Sequence, residues 1–211
     1  MMLKYHFVYL FEIKAQFMSD LRLHTFCSFY LSSIQQGIQS AHVTSELFVK
    51  YKYNFDLSSR LYDWAENHKT MIVLNGGINK SLHDLSNFLK EEKDNLSFPA
   101  PFATFNEDEA SLGGILTTVG IVLPEEIYDA VNYSKAQSLV ESGSLDQRVS
   151  YQPWTHESNA ETISVTAAAC EIIDISKNFF FIKDGKIEKY YVKDTADWRF
   201  LSILKSCPLA R

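Results

Sequence analysis

The chain is poor in cysteine. Its 211 residues hold three, Cys27, Cys170 and Cys207, and none stands in a CxxC or comparable metal-ligand spacing. An odd, scattered set of thiols excludes a disulfide scaffold and fits a reducing cytoplasm. No stretch has the continuous apolar length of a membrane span. The opening "MMLKYHFVYLFEIKAQFMSD" is broken by Lys4, His6, Glu12 and Lys14 and lacks a small-residue cleavage site, so it does not read as a signal peptide. Met18 is a second candidate start, which would make residues 1–17 an N-terminal extension. Positive charge is also short. Twenty Lys and Arg stand against 26 Asp and Glu, a net charge of −6. That argues against a broad basic nucleic-acid surface and leaves room only for a local one. Repeats, low-complexity tracts and windows too polar to fold are all missing.

What is present is core material: 46% hydrophobic and 14% aromatic residues. "LRLHTFCSFYL", residues 21–31, is rich in the side chains that favour strands and runs straight into a helix. Ser33, with Gln36 three positions on, has the form of a capping box. Ile34, Ile38, Ala41, Ser45 and Phe48 recur at helical spacing as the expected core-facing stripe. A polar helix is expected from Leu57 to Glu66. "KTMIVLN", residues 69–75, reads as a strand buried on both faces. A second helix around Leu82, Leu85 and Leu89, capped at Ser81, precedes a Pro-marked strand at "FPAPFATF". The acidic turn "NEDEASLGG" leads to "ILTTVGIVLP", the strongest strand signal and the expected sheet centre. This order predicts an α/β layer fold with a small mixed or largely parallel sheet. After Pro124, "EEIYDAVNYSKAQSLV" reads as a helix, and "AETISVTAAACEIIDIS" as a helix with a strand as the alternative. Asp184-Gly185 marks a hairpin turn, and a last helix is expected with its cap near Asp194. Residues 18–130 thus form the expected main domain, and residues 131–211 a C-terminal α/β extension packed on it.

At about 100° per residue, Gln35, Gln39, His42 and Glu46 fall in one narrow arc of the first helix, off the expected core stripe. Two amides, an imidazole and a carboxylate in a row suggest the floor of a pocket for a phosphate-bearing ligand. The free N–H groups of a helix start would add to it.

The segments Ser33 to Val43 and Phe102 to Pro124 resemble the type II peptidyl-tRNA hydrolase family. "IQQGIQSAHV" is similar to the family's first-helix motif, with Gln39 and His42 on its Gln and His. Gln35 stands where most members have Lys, as in a Gln-Gln version of the motif. "WAENHKTMIVL" resembles the Trp and second strand of that version. "FATFNEDEASLGGILTTVGIVLP" resembles a later segment, which puts Glu107 and Thr117 on its acid and threonine, Glu109 being the neighbouring candidate. The likeness spans about residues 19–127. The family's Asp-x-Gly-x-Thr signature has no counterpart here.

The resemblance implies a small mixed four-stranded sheet with flanking helices. It also implies metal-independent, cofactor-free hydrolysis of the ester in peptidyl-tRNA, with tRNA or another phosphate-bearing ligand as partner. Gln35 and Gln39 would bind substrate. His42, Glu107 and Thr117 would serve the water attack by orienting the carboxylate, accepting a proton and bonding the ester. Each has a plainer reading: His42 bonding a strand carbonyl, Gln35 and Gln36 as solvated or capping residues, the acidic cluster as a solvated turn, Thr117 as a strand former. Lys50 and Lys52 could supply some of the missing positive charge, or be a solvated helix end.

Two other functions stay open. One is a family member without catalysis that binds a nucleotide, RNA or, through residues 131–211, a protein. The other is a two-histidine phosphoesterase using "HVT" at His42 and "HES" at His156. A homodimer is compatible with all three.

Overall fold

A computed structural model describes residues 20–145 and 175–210. The expected N-terminal extension, most of the expected helix at 160–176, Cys170 and His156 lie outside the described residues. The elements run β1 (Leu21–Cys27), α1 (Ser33–Tyr51), α2 (Phe55–Asp63) with a π-helical turn at Trp64–His68, and β2 (Thr70–Asn75). Next come α3 (Asn79–Glu92), β3 (Phe102–Asn106), α4 (Glu109–Leu112), β4 (Leu116–Pro124), α5 (Glu125–Tyr128), β5 (Val131–Asn132) and α6 (Tyr133–Glu141). The chain resumes with β6 (Phe179–Lys183), β7 (Lys186–Tyr191) and α7 (Ala196–Ser206).

The fold is mixed α/β, with a four-stranded mixed sheet and flanking helices. Its strand order is β2-β1-β4-β3. β1 runs parallel to β2 and antiparallel to β4, which is antiparallel to β3. Every residue of β4 is buried, as its apolar run predicts for a strand inside the sheet. Alternation along β1 and β4 supplies both faces. Leu21, Leu23 and Val122 pack with Val43 and Leu47 of α1, Leu61 and Trp64. Phe26, Val119, Ile121 and Leu123 pack on the other side with Leu82, Leu85 and Leu89 of α3 and Phe200, Leu201 and Leu204 of α7. Burying one such side chain stabilises the fold by roughly 1.5–3 kcal/mol.

The C-terminal elements join this core. β5, β6 and β7 form a second, antiparallel sheet. Phe181 and Tyr191 reach the main core from it, while Phe180 packs with Ala136 and Leu145. Asp184 and Gly185 take positive φ of 50° and 73° at the expected hairpin turn. Lys183 pairs with Glu125 at 2.6 Å, and the Tyr191 hydroxyl donates to the Glu126 carbonyl at 2.8 Å.

Several elements depart from the sequence expectation. β1 ends at Cys27 rather than Leu31. β2 stands at the end of the strand order and is partly exposed, not buried on both faces; the C-terminal tail covers its free edge, where Asn75 N donates to the Pro208 carbonyl and Ala210 N to that of Val73. The expected 57–66 helix begins at Phe55, capped by Asn54, and ends in the π-turn. α3 starts at Asn79, ahead of Ser81, without a side-chain cap. The acidic turn holds the short α4. "EEIYDAVNYSKAQSLV" splits into α5 and α6 around β5, since Asn132 caps a new helix through Lys135 N. The cap of α7, expected near Asp194, is Thr195.

The largest correction concerns α1. Ile34 is 78% exposed and Ile38 49%, whereas Gln36, Gln39, Ser40, Val43 and Leu47 face the sheet. The sheet explains it. Beneath the first half of α1 lie Thr25, Cys27 and Thr118, not apolar side chains, so the helix turns hydrogen-bonding residues toward them. Ser40 Oγ lies 2.8 Å from Thr25 Oγ1 and 3.5 Å from Cys27 Sγ. Under the second half the sheet is apolar, and Gly120 lets the helix come close: a Cβ there would stand 2.9 Å from Val43 Cγ1.

Candidate functional site

The start of α1 is fixed by a capping box one residue earlier than the sequence suggests. The Ser32 side chain accepts from Gln35 N at 3.4 Å, and Gln35 Oε1 accepts from Ser32 N at 2.9 Å. Gln35 therefore bonds Ser32 and does not join the expected row. Gln36 is buried and donates from Nε2 to the Leu31 carbonyl at 3.1 Å, holding the loop between β1 and α1. Glu46 is exposed, so the row of four divides. Gln39 alone turns fully inward, with 4% of its surface exposed.

Gln39 joins two other candidates. Its Nε2 donates a hydrogen bond to Glu107 Oε1. Its Oε1 accepts from Thr117 Oγ1 at 3.1 Å. A carboxylate only accepts and a hydroxyl can donate, so the pair fixes which way the amide points. Glu109, the alternative acid, opens α4 and is exposed. The other oxygen of Glu107 has no hydrogen-bond partner among the described residues, and the side chain is half-buried.

Thr117 reaches Gln39 through an irregularity of the sheet. Phe105 pairs with Thr118 but Asn106 pairs with Leu116, which leaves Thr117 as the extra residue of a bulge. Strict alternation from Ile121 and Val119 would put it on the α3 side. The bulge delivers its hydroxyl to the α1 side, also 3.2 Å from the Phe105 carbonyl. The loop beyond is held by Glu107 N to the Ile115 carbonyl at 3.0 Å and Asn106 Nδ2 to that of Gly114 at 2.9 Å. Asn79 Nδ2 secures β4 from the other side through the Leu116 carbonyl at 3.0 Å.

His42 is near this group by a different contact. Its ring stacks on Phe105, with centroids 4.5 Å apart and planes 8° from parallel. Among the described residues it bonds no strand carbonyl and no carboxylate. Lys50, considered as replacement charge, sits at the far end of α1, donating to the Phe102 carbonyl at 2.7 Å. Among the described residues no three His, Cys, Asp or Glu side chains are grouped to hold a metal ion, and no helix is long and apolar enough to cross a membrane.

Gln39, Glu107 and Thr117 are thus brought together, His42 lies beside them on Phe105, and Gln35 lies apart. No protein-family model matches the chain, and no curated protein matches it. Sequence reasoning missed Phe105, whose aromatic ring two residues before Glu107 was the available signal, and the bulge, for which there was none. For the two-histidine alternative, His42 stands on a helix, and its partner His156 lies outside the described residues.

Proposed function

We propose that the chain hydrolyses the ester of peptidyl-tRNA, on a fold of the type II peptidyl-tRNA hydrolase kind. The observation that carries this reading is the Gln39 bridge. One buried amide holds a carboxylate and a hydroxyl from two different strand ends, and these are the three residues that the sequence resemblance puts on the family's Gln, acid and threonine. The mixed four-stranded sheet is the one the resemblance implies.

In this reading the unpartnered oxygen of Glu107 accepts a proton from water as the water attacks the ester carbonyl. The bond to the ribose oxygen then breaks, and that oxygen takes up the proton. The products are the free peptide and tRNA with its terminal hydroxyl. Gln39 keeps Glu107 from rotating away, which is the preorganisation general-base chemistry needs. Thr117, buried beneath the helix, holds the other end of the amide and so serves the carboxylate through Gln39. The stacked His42 and Phe105 offer a flat face beside the carboxylate. Neither a covalent intermediate nor a metal ion is required.

The test is release of acylated peptide from purified peptidyl-tRNA by the full chain. Turnover that falls by about 10²-fold or more in Glu107→Gln supports the assignment. Turnover at background in the folded wild type removes it.

A second reading keeps the site and drops the reaction: a module that binds RNA, a nucleotide or a protein. It is favoured by how fully Gln39 is satisfied within the protein and by His42 stacking on Phe105 instead of bonding Glu107. Equilibrium binding of uncharged tRNA with no ester cleavage is the result that would select it.

A further inference from the structure

At the other end of α1 and β3 lies a cleft of about 620 Å³ lined by Lys50, Lys90, Lys93, Asn54 and Asp94. It is separate from Gln39. Lys50 is roughly 16 Å further along the helix at about 1.5 Å per residue. Three ammonium groups against one carboxylate leave the cleft positive in a chain whose net charge is −6. Among the described residues, none of the three lysines has a carboxylate oxygen within 4.0 Å. Lysines near the ends of α1 and α3 complement the helix dipoles, but that role does not require them to converge on one cavity. Their convergence shows in Lys50, where burial first, then the charges of Lys90 and Lys93, push the ammonium pKa down. Its Nζ makes one bond, to the Phe102 carbonyl, while lying 3.9 Å from the centre of the Phe102 ring. Two of its three donors remain for a ligand.

Two exposed aromatic residues adjoin the lining in sequence. Asn54 is flanked in sequence by Tyr53, 90% exposed, and Phe55, 83% exposed. Lys52 lies over the Tyr53 ring at 4.8 Å. Uncompensated lysines in a groove, with solvated rings on the adjoining turn, is the combination that holds single-stranded nucleic acid without sequence preference: ammonium groups meet phosphates and bases stack on the rings.

We propose that this cleft binds the backbone of a single-stranded RNA segment, with Tyr53 and Phe55 as stacking platforms. The assignment rests on the RNA part of the functional reading and not on the ester chemistry. In combination the two sites would grip one strand at both ends of α1.

The experiment is fluorescence anisotropy of a short labelled single-stranded RNA with the full chain over a series of salt concentrations. Lys90 and Lys93 are both exposed, so Lys90→Glu/Lys93→Glu should fold. It is expected to weaken binding at least about tenfold at low salt. Removing two phosphate contacts should also make the slope of log affinity against log salt shallower by about 1.4. Tyr53→Ala should weaken binding about fivefold or more with the slope unchanged. Lys135→Glu/Lys186→Glu, two exposed lysines outside the cleft, is the control that makes the same change in net charge. An equal loss in that control, an unchanged affinity in Lys90→Glu/Lys93→Glu, or equal displacement of the RNA by polyglutamate would each overturn the assignment. Hydrolysis is read separately. Lysine-dependent RNA binding without turnover leaves the cleft standing and removes the ester chemistry, and turnover without lysine-dependent binding does the reverse.

Discussion

Thr117→Val isolates the bond on which the candidate site depends. Valine has nearly the shape of threonine, so packing around the bulge is retained while the hydroxyl is lost. The Gln39 Oε1 that accepted it at 3.1 Å then lies buried without a donor. Leaving a buried acceptor unpaired costs about 1–3 kcal/mol, and urea unfolding should show a stability loss in that range with an unchanged m-value. The second consequence is functional. Freed at one end, the amide has a second orientation, with its oxygen toward Glu107, that repels the carboxylate it formerly held. Peptidyl-tRNA turnover should therefore fall by roughly 10-fold or more even where the protein is fully folded. The paired variant decides between this mechanism and a general loosening. Gln39→Leu removes the group that Thr117 serves, so Thr117→Val added to it should cost less than it does alone, with a coupling of about 0.5–3 kcal/mol. Additive losses, or a Thr117→Val protein as stable and active as the wild type, would refute the argument.

Gly120→Ala sets a new Cβ 2.9 Å from Val43 Cγ1 and should destabilise by about 1–3 kcal/mol in urea, with much of the loss recovered in Gly120→Ala/Val43→Ala. His24 is buried, and burial pushes its pKa down to about 4. The unfolded chain then binds a proton below pH 6.5 that the folded chain refuses. Its share of stability is complete above about pH 6.5 and is lost as pH falls toward 4, by about 3 kcal/mol in all, and His24→Gln should flatten that part of the stability-versus-pH curve. Removing residues 208–211 strips the bonds from Pro208 and Ala210 off the edge of β2. Light scattering at raised concentration should then show association beyond that of the full chain, and an unchanged mass would contradict the covering role of the tail.

The strands were legible because their signals are strong and local. β4 is an unbroken run of apolar and β-branched residues and lies inside the sheet. Asp184-Gly185 can adopt the positive φ of a tight hairpin turn at little cost, and the turn forms there. The orientation of α1 was not legible, because it depends on what lies beneath. Ile34 and Ile38 have the period of a buried stripe, yet the helix turns them outward to match Ser40 to Thr25 and Gln39 to Thr117. Those partners are far away in sequence. β2 looked central because its residues are apolar, but nothing in "KTMIVLN" tells that residues 208–210 will lie along it. Of the site, Gln39, Glu107 and Thr117 were named from the resemblance, while their geometry was out of reach. A bulge is a one-residue offset between two strands, and neither strand carries it alone.

The division of α1 into two halves has a consequence for how a site is built on it. Val43 and Leu47 at the far half bury apolar surface against Leu21, Leu23 and Val122, and that contact anchors the helix. The near half contributes little of that kind. It holds its position through hydrogen bonds to partners fixed on the sheet, Ser40 on Thr25 and Gln39 on Thr117, and to the loop that leaves β1, Gln36 on Leu31. Each bond is worth only about 1 kcal/mol net, but each is directional, and leaving any one unmade is expensive. Apolar packing would tolerate small slips and rotations of the helix, whereas this arrangement does not. A carboxylate steered from the near half is therefore held in one place by geometry, while the energy that keeps the helix down comes from the other end. Separating anchoring from aiming in this way is what lets a buried amide serve a reactive group without the helix relaxing into a better-packed alternative.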